Sequence, residues 1–252
     1  SYNSSNIPEC FLVAACNSHG IPTFSVQHSL YQDYKADPPL DVINYENVVA
    51  QNLLVWSEFC RSQIITFHER IDRTPSFSMP VAGYLNFSAL REGPRLPNTE
   101  NCKILCLLPR DEIASSLLLL NILRKLDQHH EIIIRFHPVA PRDKILPAPI
   151  PANFSVDKEP LLSATLSNRN ISLAVGFNTT GLFDALLYDI PCALFSAPDA
   201  TYQIDNFPCF GSQEELERFI ETPRFSREVA DYVLGAHIMR YSEIIDPHNP
   251  VV

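Results

Sequence analysis

Three short stretches of this 252-residue chain combine residue types and spacing suited to chemistry. Gln27-His28-Ser29 follows the apolar run 22–26. Arg135-Phe136-His137-Pro138 closes the run 131–136. Gly176-Phe177-Asn178-Thr179-Thr180-Gly181 lies between the apolar run 171–175 and a helical stretch. In an open parallel sheet, ligands collect at the carboxyl ends of strands, where loops meet helix N-termini. Unpaired N–H groups at such a terminus favour an anion, and Thr179 and Thr180 would add hydroxyl donors for phosphate oxygens. The same two threonines also fit a plain helix cap. Pro138 fixes the backbone beside His137, an imidazole able to donate to phosphate or to exchange protons near neutral pH. His137 equally fits a satisfied strand-end histidine, and His28 admits the same reading.

Secondary candidates surround these three. Arg135 precedes His137 by two residues, so strand alternation turns both side chains to one sheet face. Asp184 follows Thr180 by four residues and shares its helix face, where a carboxylate could accept from ribose hydroxyls. It also reads as an ordinary surface aspartate. Arg110, just beyond the run 103–108, could meet a diphosphate or pair with Asp111 or Glu112. His129, His130, His237 and His248 carry no such context. The chain has only 7 glycines and neither a dinucleotide fingerprint nor a P-loop. No D-x-D or H-E-x-x-H motif is present, so neither a metal nor a separate cofactor is expected.

The elements that must position these residues follow an α/β rhythm. Short β-rich runs alternate with helical stretches, which predicts Rossmann-type units with parallel sheets. Strands are expected at 22–26, 53–56, 80–83, 103–108, 131–136, 154–156, 171–175 and 192–195. Helices are expected at 9–19, 58–70, 114–126, 161–166, 181–188, 212–221 and 227–245, with a capping box of Ser212 and Glu215. Residues 86–101 have linker composition, with Gly93, Pro94 and Pro97. Two units result: 1–95, with about three strands and no opening βαβ portion, and 96–252, which looks complete and carries the C-terminal helix.

Composition excludes several classes. A net charge of −10 and a pI near 5.2 give no global basic field for nucleic acid. Seven cysteines, several among apolar residues and none in a C-x-x-C pair, predict free thiols and a cytoplasmic location. No apolar run reaches the roughly 18 residues of a membrane span.

These residues carry a resemblance. The stretch 20–29, Trp56-Ser57 and Val81-Ala82-Gly83 resemble the second half of the N-terminal domain of GT-B-type glycosyltransferases. The relatives in question build bacterial surface polysaccharides: CDP-glycerol glycerophosphotransferase-like, polysialyltransferase-like, and capsule or lipopolysaccharide Kdo transferases. The stretch 132–138 resembles their "R-x-H-P" strand end. The stretch 172–191 resembles their block "S-S/T-x-x-x-E-A-x-x-x-G-I-P". The resemblance implies a GT-B-like fold whose incomplete first unit serves the acceptor and whose second unit serves the donor. It implies transfer of a sugar or polyol phosphate from a nucleotide-activated donor, CMP- or CDP-linked, to a glycan or lipid-linked acceptor. Work at the inner face of a membrane, reached through other domains or subunits, would suit such an acceptor. His137, Pro138, Asn178, Thr179 and Thr180 would meet the donor phosphate with Arg110 and Arg135. Asp184 would bind ribose, and His28 and His137 would be the catalytic candidates. Ser29 and Asp189 stand where these relatives carry glycine. A UDP-sugar 2-epimerase-like enzyme shares the architecture and is the alternative, beside a non-catalytic module of a polysaccharide assembly complex.

Overall fold

The computed structural model describes residues 7–31, 45, 47–84, 102–110, 112–138, 140–146, 150–168, 170–198, 200, 204, 207–223, 227–235, 238 and 240–246. The described chain forms two compact units. Residues 102–227 make one. Residues 7–31, 45–84 and 228–246 make the other.

The larger unit is built on six parallel strands: β3 (Lys103–Leu108), β4 (Glu131–Phe136), β5 (Phe154–Val156), β6 (Leu173–Gly176), β7 (Cys192–Phe195) and β8 (Cys209–Phe210). Their spatial order is β5-β4-β3-β6-β7-β8. Counted within the unit this is 3-2-1-4-5-6, the order that reverses direction between its first and fourth strands. The strands read as continuous apolar runs because helices cover both faces of a parallel sheet. Every residue of β6 and β7 is buried, and β3 is buried from Ile104 onward. The helices are α3 (Ile113–Leu123), α4 (Arg142–Ile145), α5 (Leu162–Asn168), α6 (Gly181–Leu187) and α7 (Gln213–Glu221). Helix α3 buries Leu119, Leu120 and Leu123, joining Ile104, Cys106, Ile132, Ile134, Val175 and Phe177 in one core.

The smaller unit holds α1 (Ile7–Ser18), β1 (Phe24–Val26), β2 (Asn52–Leu54), α2 (Glu58–Arg70), α8 (Arg227–Leu234) and α9 (Tyr241–Ile245). Strands β1 and β2 pair in parallel. Residues 78–82 run alongside β2 through two isolated parallel bridges, Asn52 with Ser78 and Val55 with Val81. The third strand expected at 80–83 is therefore reduced to bridges. Pro80 lacks the N–H a ladder would use, and only its carbonyl takes part, accepting from Val55 N at 3.1 Å.

Two further expectations change. The single helix expected at 227–245 is broken, because Gly235 adopts φ +59° after α8. This stretch also belongs with the smaller unit, not with the larger one as the sequence-based division had it. Ser57 explains the return: its hydroxyl caps α2 by accepting from Cys60 N and donates to Val233 O at 2.8 Å. Arg240 N donates to Ala82 O at 3.1 Å and the Tyr241 hydroxyl to Gly83 O at 2.6 Å. Strand β8, only two residues long, carried no periodicity to read. The linker expected at 86–101 lies outside the described residues.

Candidate functional site

The carboxyl ends of β3, β4 and β6 bring most of the predicted residues to one edge of the larger unit's sheet. Strands β3 and β6 are direct neighbours, with Leu107 opposite Gly176, and β4 lies on the other side of β3 with Phe136 opposite Leu108. The loops that follow carry Arg110 and Glu112 after β3, His137 and Pro138 after β4, and Asn178, Thr179 and Thr180 after β6. The crevice between β3 and β6 is the point where strand order reverses, the usual ligand position of such sheets.

The β6–α6 loop is held rigidly from below. Phe177 is fully buried and meets Phe195 edge-on at 5.7 Å. Gly176 admits no side chain, since a Cβ there would sit 2.6 Å from Leu107 O. Asn178 is 5% exposed and takes φ +46°, a left-handed backbone that asparagine tolerates better than most residues. Its Nδ2 donates to Glu112 Oε1 at 2.9 Å, joining the two loops across the crevice. Thr179 Oγ1 accepts from Gly181 N at 3.3 Å, so this threonine braces the start of α6. Thr180 occupies the cap position, but its hydroxyl makes no capping hydrogen bond. Asp184 is half-buried one turn on, its N–H donating to Thr180 O at 3.2 Å.

His137 and Pro138 are exposed, and the His137 carbonyl accepts from Ala140 N at 2.9 Å, closing a turn. Arg110 is half-buried at the β3 end. Arg135 departs from the phosphate role expected for it. Its Nη1 donates to Asp157 Oδ2 at 2.5 Å, Glu159 O at 3.0 Å and Thr165 Oγ1 at 3.2 Å, and its Nη2 donates to Pro160 O at 3.4 Å. Its guanidinium thus clamps the β5–α5 connection. Burial works to raise the Asp157 carboxyl, yet hydrogen bonds from Thr165, Arg135 and Glu159 N hold it below its ordinary value. Helix α5 in turn meets the site: a Cβ on Gly181 would sit 2.8 Å from Leu162 Cδ2.

His28 lies in the smaller unit, exposed, on a tightly determined turn. The Tyr45 hydroxyl accepts from His28 N and Ser29 N at 3.1 and 3.0 Å and donates to Ser29 O at 2.7 Å. Burial pushes this phenol up to about 12. Buried Gln27 accepts from Trp56 N at 2.9 Å and donates to Ser29 O at 3.0 Å.

Sequence reasoning passed over Glu112, Asp157 and Tyr45. Glu112 was weighed only as a partner for Arg110. A capping signal missing at the start of α3 was the available hint. Tyr45 is far from His28 in sequence and left no local trace. All seven cysteines are free, and burial pushes the Cys102 thiol up to about 11. Among the described residues, no group of three or more His, Cys, Asp or Glu is placed to hold a metal ion, and no helix is long and apolar enough to cross a membrane.

The fold is that of GT-B-like, Rossmann-type α/β proteins with all-parallel sheets. Solved structures show the likeness. The chain is similar to S. aureus MnaA bound to UDP, with TM-score 0.57 and 13% identity over 94% of this chain and 72% of that one. It is similar to a variant of the wall teichoic acid polymerase TagF soaked with CDPG, with TM-score 0.52 and 14% identity, covering 89% of this chain and 65% of the polymerase. It is similar to a UDP-GlcNAc 2-epimerase of Methanocaldococcus jannaschii bound to UDP-GlcNAc and UDP, with TM-score 0.50 and 14% identity over 87% and 69%. The chain thus spans about two thirds of the length of these proteins. No family profile and no curated protein matches the sequence.

Proposed function

We propose that this chain belongs to a GT-B-type transferase that moves a sugar or polyol phosphate from a nucleotide-activated donor to a glycan or lipid-linked acceptor. The observation that carries the reading is the meeting of the β3, β4 and β6 loops at the reversal of strand order, bridged by Asn178 and Glu112. The donor phosphate would rest on the Thr180 and Thr179 hydroxyls and on His137, with Asp184 taking ribose hydroxyls. Such groups act by stabilising charge on the departing nucleotide, because they are fixed before the bond breaks. The resemblance to CDP-glycerol and Kdo transferases favours a CMP- or CDP-linked donor. His28 is the candidate base for the acceptor hydroxyl, on the strength of that same resemblance.

Calorimetric titration with CMP, CDP, UMP, UDP and GDP tests the donor site. One nucleotide should bind, and the double variant Thr179→Ala/Thr180→Ala should bind it at least about tenfold more weakly, since each hydrogen bond to a charged group contributes about 1.5–3 kcal/mol. Unchanged affinity in that variant would remove the phosphate site from this loop. His137→Ala should lose about tenfold by the same argument. Transfer requires an acceptor and 2-epimerisation does not, so product analysis with a nucleotide sugar alone separates the two chemistries.

A further inference from the structure

We infer that Glu112 is a positioning residue of the phosphate site, acting through Asn178; the inference rests on the donor reading above. Glu112 stands at the N-cap of α3, where a side chain ordinarily accepts from its own helix, yet it makes no capping hydrogen bond. Its Oε1 instead accepts from Asn178 Nδ2 at 2.9 Å, across 66 residues of sequence. Asn178 is nearly fully buried and holds φ +46°, so its backbone is the least common conformation in the loop. That conformation sets the direction in which Thr179 and Thr180 leave the sheet. Glu112 therefore fixes the hydroxyls by fixing the residue before them.

The sign of the charge argues against direct phosphate contact. A carboxylate facing a phosphate costs energy at any dielectric, so Glu112 contributes to anion binding only through the amide between them. The two loops also come from different strands, β3 and β6, which meet only in the assembled sheet. The contact is thus a tertiary latch on the loop rather than part of its local geometry.

The test compares nucleotide and nucleoside. CDP and cytidine, and UDP and uridine, are titrated by NMR into the parent, Glu112→Ala and Glu112→Gln. The alanine variant should bind the preferred diphosphate about tenfold more weakly, while binding of its nucleoside is unchanged. The glutamine variant keeps an acceptor oxygen and should stay within about threefold of the parent, a loss of about 0.6 kcal/mol. Equal losses for nucleoside and diphosphate, with a lowered melting temperature, would show a merely structural role and overturn the inference. A glutamine variant as weak as alanine would overturn it too, by making charge the active property. Failure of the parent to bind any of CMP, CDP, UMP, UDP and GDP would instead overturn the donor reading from which it starts.

Discussion

Alanine at Asp157 should destabilise the larger unit by about 2–4 kcal/mol, the scale for breaking a buried ion pair with part of the partner still exposed. The Asp157 side chain has no exposed surface, and that of Arg135 retains 18%. Removing the carboxylate leaves a guanidinium with only the carbonyls of Glu159 and Pro160 and the Thr165 hydroxyl as acceptors. It also deprives the Thr165 hydroxyl of the oxygen it donates to at 2.5 Å. The pH dependence has a definite sign. The folded carboxyl sits below its ordinary value of 3.8, so its contribution is fully present above that value and is lost as pH falls through the folded one. Urea unfolding from pH 7 downward reads this directly. The parent's stability should fall more steeply below about pH 4 than that of Asp157→Asn, which has no carboxylate to protonate. Parallel curves for the two proteins would remove Asp157 from the acid response. Because α5 carries both Thr165 and the Leu162 that meets Gly181, Asp157→Ala should also weaken nucleotide binding.

Gly235→Ala should be comparably severe in the smaller unit. Its φ of +59° is a left-handed backbone that costs an alanine roughly 1–2 kcal/mol. Its Cβ would also lie 2.2 Å from Trp56 O, which is backbone and cannot swing aside. The turn after α8 must move, and with it the hydrogen bond from Ile238 N to Gly235 O at 2.9 Å. A total of roughly 2–4 kcal/mol follows, large for a single added methyl. Thermal unfolding checks the size. Hydrogen exchange checks the place, with faster exchange expected at the amides of residues 231–246. A melting temperature within about one degree of the parent would show that the backbone yields cheaply, since about 1 kcal/mol moves the midpoint by several degrees in a small domain.

Most elements of the larger unit, β8 and α4 excepted, were legible because each carries its own signal. Residues 103–108 and 131–136 are apolar enough to be buried on both faces, and both strands begin and end where expected. The Ser212 cap was equally local: its hydroxyl accepts from Glu215 N, although the Glu215 carboxylate reaches back to Gly211 N rather than to Ser212. What sequence could not show was where long side chains go. Arg135 is half-buried between buried Ile134 and Phe136, and a partner 22 residues downstream claims it. Asp157 and Glu112 look like ordinary solvated acids in a linear text. Their roles exist only once β5 lies beside β4 and β6 beside β3. Pro80 was visible and its effect underestimated, since one missing N–H turned an expected strand into two bridges.

The return of residues 228–246 to the smaller unit has a consequence for synthesis. A ribosome delivers the chain in order, so the larger unit is complete while the smaller still lacks α8 and α9. Until then the Ser57 hydroxyl has no Val233 carbonyl to donate to, and the carbonyls of Ala82 and Gly83 have no partners from residues 240 and 241. The nascent smaller unit therefore waits, partly formed, until residues 228–246 emerge.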